Sequence, residues 1–253
     1  MNRAAVVTQP SAVGEHTPVP FARLVRVEIR KCLDTRAALT LIASFLAVGT
    51  IALVLVLVAS PEPTLALAAL PAALLAVALP LLGVLVMTSE WSQRTALVTF
   101  WLVPRRSRVL GAKVVATLLT GAALLAVTVV VFLLVSVLVL AVRGEPLRLQ
   151  DAGSGLAPLL AAGMTGVVFG LAWGALLPWT PVAVLVVVLV PLAVDPLLAV
   201  ALGDRATWFS SGAVQDALLG GSTPVPALLS SLTLWYVLPL AAGWWVQLRR
   251  EAR

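Results

Sequence analysis

Long apolar runs separated by brief polar breaks set the pattern of this chain. They fall at about 37–59, 65–88, 109–142, 155–177, 181–200 and 227–248. Each is roughly twenty residues or longer, the length a helix rising ~1.5 Å per residue needs to cross a ~30 Å hydrocarbon core. The pattern predicts an all-α polytopic membrane protein with six transmembrane helices. Ser60-Pro61-Glu62-Pro63 turns the chain after the first span. Pro71 and Pro80 should kink the second, with neighbouring helices satisfying the freed carbonyls. The third run exceeds the hydrocarbon core, so its helix should tilt or project from the bilayer with Lys113 near its base. Pro178-Trp179-Thr180 leaves room only for a tight hairpin between the fourth and fifth spans. Residues 201–226 mix Gly, Asp, Ser and Trp and should form short helical pieces on the outer surface.

Two stretches outside the spans carry their own pattern. Residues 1–20, rich in Pro and polar residues, read as a flexible tail. Residues 21–36 read as an amphipathic helix: Phe21, Leu24, Val25, Ile29, Cys32 and Leu33 share one face, and Arg23, Arg26, Arg30, Lys31 and Asp34 the other. Such a helix lies in the membrane interface, although a plain positive flank that fixes topology would look similar. Glu28 falls within the apolar arc and so calls for a partner. The second stretch, Ser89 to Arg108, is charged at both ends. Its middle, Thr95–Val103, is apolar but too short to span, and Pro104 ends it before Arg105, Arg106 and Arg108. A short helix on the cytoplasmic surface fits this pattern.

Composition agrees with a membrane protein. Of 253 residues, 61% are hydrophobic and 11% charged, against roughly 25% charged in soluble domains. The net charge of +6 comes from fifteen Arg and two Lys, most of them flanking apolar runs. That placement speaks for topology, not nucleic acid. Six basic residues precede the first span, five lie between the second and third when Lys113 at the base of the third is counted, and three follow the last; the opposite side holds three. The positive-inside rule then puts both termini in the cytoplasm, and the expected location is the cell inner (plasma) membrane. A first apolar run longer than twenty residues is not a signal-peptide core.

Catalytic chemistry is sparse. No glycine directly precedes Lys31 or Lys113, so no P-loop is present, and one histidine, His16 in the tail, cannot build a two-histidine metal motif. One cysteine, Cys32, forms no intrachain disulfide. No catalytic residue and no metal ligand is assigned. Asp195, before Pro196, is the one ionisable residue placed well inside a span, about 20 Å from its cytoplasmic start. It is either a substrate or proton site, or a cap for the next helical piece where the helix breaks at Pro196. Most tryptophans sit near the interfaces as an aromatic belt; Trp173 and Trp235 lie deeper and could line a path. Gly163, Gly166, Gly170 and Gly174 form a small-residue ladder that admits another helix closely.

The order of parts resembles the permease subunit of ABC-2 type transporters. Glu28-Ile-Arg-Lys31-Cys-Leu-Asp-Thr-Arg36 looks like the leader of that family's interfacial elbow helix. Glu90-Trp-Ser-Gln-Arg-Thr95, Pro104-Arg-Arg-Ser-Arg108 and Gly111-Ala-Lys113 are similar to its cytoplasmic stretch. The resemblance implies one transmembrane domain over 21–253, with an elbow helix carrying Glu28, Lys31 and Arg36. It implies a coupling helix at about 93–103 that docks on a separate nucleotide-binding ATPase through Glu90, Arg94, Thr95, Phe100, Trp101, Arg105, Arg106 and Arg108. ATP and Mg would bind that partner, and this chain no cofactor; Glu28 and Glu90 would pair with arginines such as Arg94. A second permease copy or homologue would complete the path, with 201–226 gating it from outside. The expected role is export of a hydrophobic or amphipathic substrate such as a drug, lipid or modified peptide, in a bacterium. A proton-coupled carrier using Asp195 and a membrane assembly protein without transport are the alternatives.

Overall fold

The computed structural model describes residues 19–34, 36–61, 75–92, 105–145 and 150–249. The expected tail, apart from its last two residues, and the expected coupling helix lie outside these residues. Ten α-helices run in order among them: α1 (Phe21–Asp34), α2 (Arg36–Ala59), α3 (Leu75–Ser92), α4 (Arg106–Arg143), α5 (Gln150–Leu176), α6 (Thr180–Leu189), α7 (Asp195–Leu202), α8 (Ala213–Leu218), α9 (Val225–Ser231) and α10 (Leu238–Arg249). A π turn, Val190–Val194, fuses α6 to α7, and another, Leu232–Val237, fuses α9 to α10. A 3₁₀ turn, Gly203–Trp208, follows α7.

Four of these helical stretches are long and apolar enough to cross a membrane: Leu39–Ala59, Arg106–Arg143, Thr180–Trp208 and Val225–Arg249. Their outward faces carry large apolar residues such as Leu55, Leu138, Leu197 and Val200, all well exposed. Water would penalise such a surface and lipid does not. The chain is a multi-pass membrane protein. Ala78–Glu90 and Leu160–Leu176 are shorter apolar helices packed inside the bundle.

Helix α4 has 38 residues, ~57 Å at 1.5 Å per residue. It begins directly after the Pro104-Arg105 pair and stops at Gly144, whose φ of 71° is the left-handed conformation that ends helices. Arg143 at that end turns its Nη1 toward α2 and donates to the carbonyls of Leu57 at 2.6 Å, Ser60 at 2.9 Å and Val58 at 3.1 Å. Those carbonyls are among the ones a helix C-terminus leaves without partners, and a cation there suits the helix dipole.

Helix α5 occupies the centre because glycines strip its flanks. A Cβ at Gly170 would overlap the carbonyl of Pro80, and one at Gly174 would sit 2.9 Å from the Cα of Val84. Gly83 of α3 answers from the other side, where a Cβ would lie 2.6 Å from the backbone N of Leu171. The ladder read from the sequence therefore seats α3. Gly121 brings α4 onto Val167, and Gly243 brings α10 onto the α5 backbone at Ala175 and Leu176. Leu79, Leu125, Val167 and Leu171 fill the core between α3, α4 and α5, and Leu53 and Leu57 extend it to α2.

Candidate functional site: a buried charge cluster

Helix α1 packs against α4 and α3 along a narrow face. Val25 contacts Ala112 and Ala116 of α4, while Cys32 contacts Leu82 and Val86 of α3. Glu28 lies three residues after Val25 and four before Cys32, so helical geometry places it on the same face. It is 5% exposed. A carboxylate there needs partners, because desolvating an unpaired charge costs several kcal/mol.

The partners are the chain's two lysines. Lys31 Nζ donates to Glu28 Oε1 at 2.7 Å and to Glu90 Oε1 at 3.0 Å. Lys113 Nζ lies 3.2 Å from Glu28 Oε2 and 3.6 Å from Glu90 Oε1, and it donates to the Val86 carbonyl at 3.3 Å. Among the described residues, two acids and two bases from three helices thus form one neutral group. Glu28, Glu90 and Lys113 are buried, and Lys31 closes the group from the half-open side. Burial alone would push the Lys31 ammonium down; hydrogen bonds and charge attraction from Glu28 and Glu90 together outweigh it and hold the group above its ordinary value. Burial, then the Glu28 charge, raises the adjacent Cys32 thiol.

Among the described residues Glu28 and Glu90 pair with lysines; Arg94, expected as a partner, lies outside them. Lys113, near the base of α4, is buried there because α1 covers that end of the helix. The sequence did carry a signal for it: the chain has fifteen arginines and two lysines, and both lysines are here. A compact ammonium reaches several carboxylate oxygens where a planar guanidinium does not fit.

Around the cluster the same end of the bundle is cross-tied. Arg108 Nη2 donates to the Val19 carbonyl at 2.8 Å, holding the start of α1 to α4. Arg106 Nη1 reaches the Leu248 carbonyl at 3.4 Å, and buried Gln247 donates to the Ala175 carbonyl at 3.1 Å. Thr180 Oγ1 donates to Thr88 Oγ1 at 2.8 Å, bringing the start of α6 to α3. Arg105 is exposed. Thr95, Phe100 and Trp101 lie outside the described residues with Arg94, and Arg36 opens α2. The described ends at Ser92 and Arg105 flank that stretch, Ser92 two residues after Glu90 and Arg105 eight before Lys113.

Asp195 stands apart, ~22 Å along the α6–α7 helix from Thr180 by helix rise. The helix does not break at Pro196. The π turn before it, closed by the Asp195 amide bonding the Val190 carbonyl, absorbs the prolines. The Asp195 carboxylate accepts from Ser210 Oγ at 3.0 Å, Ser211 Oγ at 2.8 Å, and the amides of Ser211 and Gly212 at 3.1 Å each. It thereby fastens the segment that follows the 3₁₀ turn. Trp235 Nε1 donates to the Phe209 carbonyl at 2.7 Å and Ser230 Oγ to that of Trp208 at 2.6 Å, fastening the same segment to the last helix. Trp173 and Trp235 do meet, with ring centroids 5.8 Å apart, in a group completed by Phe169 and Tyr236. Among the described residues no three His, Cys, Asp or Glu side chains stand together as metal ligands would.

No family model matches the chain, and no curated protein is similar to it.

Proposed function

We propose that this chain is the permease subunit of an ABC-2 type transporter. It would work with a separate ATPase subunit, which binds ATP and Mg, and with a second permease copy or homologue. The observation that carries the reading is the four-charge cluster. It binds α1 to the end of α3 and the start of α4, the two helices joined by residues 93–104. A force applied to that connection meets a rigid corner rather than a loose loop, and α4 is long enough to carry it across the bilayer. In this reading α1 is the elbow helix, 93–103 the coupling helix, and the membrane spans are six: α2, α3 with the residues before it, α4, α5, α6–α7 and α9–α10. Both termini lie in the cytoplasm, on the cluster's side of the inner membrane.

The same geometry favours a hydrophobic or amphipathic cargo. The buried ion pairs among the described residues gather at one end. The one acid farther along, Asp195, is engaged by four hydrogen bonds. That occupancy argues against a proton carrier built on Asp195, which would need an acid open to exchange. The experiment is to co-express the chain with a candidate ATPase, purify through a tag on this chain, and measure ATP hydrolysis. The reading expects a stable complex whose turnover falls when Trp101 and Arg105 are both replaced by Ala. A chain that purifies without an ATPase, or turnover indifferent to those residues, overturns it.

A further inference from the structure

The outer face of α1 has no partner in the bundle. With about 100° between successive residues, Arg23, Arg26 and Arg30 project opposite the Val25–Glu28–Cys32 face, and all three are exposed. Val27 and Leu33, each 45% exposed, flank them on either side. Arg106 and Arg108 reach backbone carbonyls, Arg143 caps α2, and Arg249 lies over the Trp245 ring. Among the described residues Arg23, Arg26 and Arg30 make no ion pair. Asp34, the acid on that side of the helix, makes none with Arg30.

We infer that this face is a binding surface for anionic phospholipid in the leaflet against which α1 lies. Three guanidinium groups one turn apart form a row along one helix face, and each offers two parallel donors to a phosphate. The inner face of the same helix holds Glu28 in the charge cluster, so lipid on one side and lysine on the other clamp α1 in place. The inference requires only that the chain is embedded in a membrane, and it stands apart from the transport reading.

The test compares phosphatidylglycerol with phosphatidylcholine bound to the full chain in detergent, read by native mass spectrometry. A basic residue near an anionic surface contributes about fivefold in association. The wild-type chain should retain phosphatidylglycerol well above phosphatidylcholine. A variant carrying Arg23→Gln, Arg26→Gln and Arg30→Gln should lose most of that preference, while its unfolding temperature in pure detergent is unchanged. The matching triple change to Lys should keep the preference in large part. Equal retention of the two lipids by the wild type, or an undiminished preference in the Gln variant, overturns the inference. An undiminished preference together with loss of a co-purifying ATPase would assign the face to protein contact, and overturns it too.

Discussion

Two carboxylates near opposite ends of the bundle, Glu28 buried and Asp195 half-buried, are stabilised in different ways. Glu28 is held by Lys31, one turn further along its own helix, and by the distant Lys113 of α4, with Glu90 of α3 sharing both. Asp195 is held by hydroxyls and amides fifteen to seventeen residues downstream, with no cation among them. The first arrangement joins three helices and is all-or-nothing, because removing one charge strands the others. The second fastens one surface segment and can loosen without disturbing the bundle. Charge pairing is used where distant parts of the chain must move together, and dipolar capping where a local piece must stay put.

The largest effect expected is at the cluster. Lys113→Met takes from Glu28 and Glu90 the buried one of the two lysines they share, and should destabilise the fold by about 3–5 kcal/mol, measured by thermal unfolding in detergent. Asp195→Asn should cost less, about 1–3 kcal/mol, and should act locally. Hydrogen exchange would rise in 203–218 and stay low in α3 and α5; a uniform rise would erase the contrast between the two ends. Gly170→Ala tests the helix pair beneath both sites. Its Cβ meets the Pro80 backbone, which cannot yield as a flexible side chain does, and a loss of about 1–3 kcal/mol is expected. Arg143→Gln, which strips the cap from α2, should cost up to about 1 kcal/mol.

The smallest effect is a reporter. Cys32 is the only cysteine and lies buried on the inner face of α1, against Leu82 and Val86 of α3. Maleimide should label it slowly in the wild type, helped by a thiol already raised by burial, and faster in Lys113→Met as α1 lifts. The Lys31 ammonium is raised in the fold, so its contribution is fully present below the ordinary lysine value of ~10.4 and is lost as pH rises through the higher folded value. Shielding of Cys32 by Lys31 pairing should therefore persist from neutral pH to pH ~9 and fail only in stronger alkali.

Much of the helix plan was legible because the punctuation is chemical. The apolar run expected at 109–142 returns as Arg106–Arg143, bounded by a proline-arginine pair and a left-handed glycine. The run at 37–59 returns as Arg36–Ala59. The glycine ladder announced a close helix without saying which, since every apolar helix offers a candidate groove. Glu28 announced a partner for the same reason, but only packing decides which distant helix faces it, so Lys113 was not named as that partner. The π turns were not legible, because their extra residue is accommodated by neighbours. That is also why Pro196 did not end its helix. Arg143 as a cap for α2 had no signal beyond its position at a helix end.

The account rests most heavily on Glu28, Lys31, Glu90 and Lys113 acting as one unit. The most direct measurement is a double-mutant cycle of Glu28→Gln and Lys113→Met by thermal unfolding. If the cluster is one unit, Glu28→Gln should cost far less in the Lys113→Met background than alone, because the double variant removes one acid together with the base it contacts and leaves the Lys31–Glu90 pair intact. The coupling should reach about 1–3 kcal/mol. Two single losses that simply add would show that Glu28 and Lys113 do not share a charge balance, and would contradict the account.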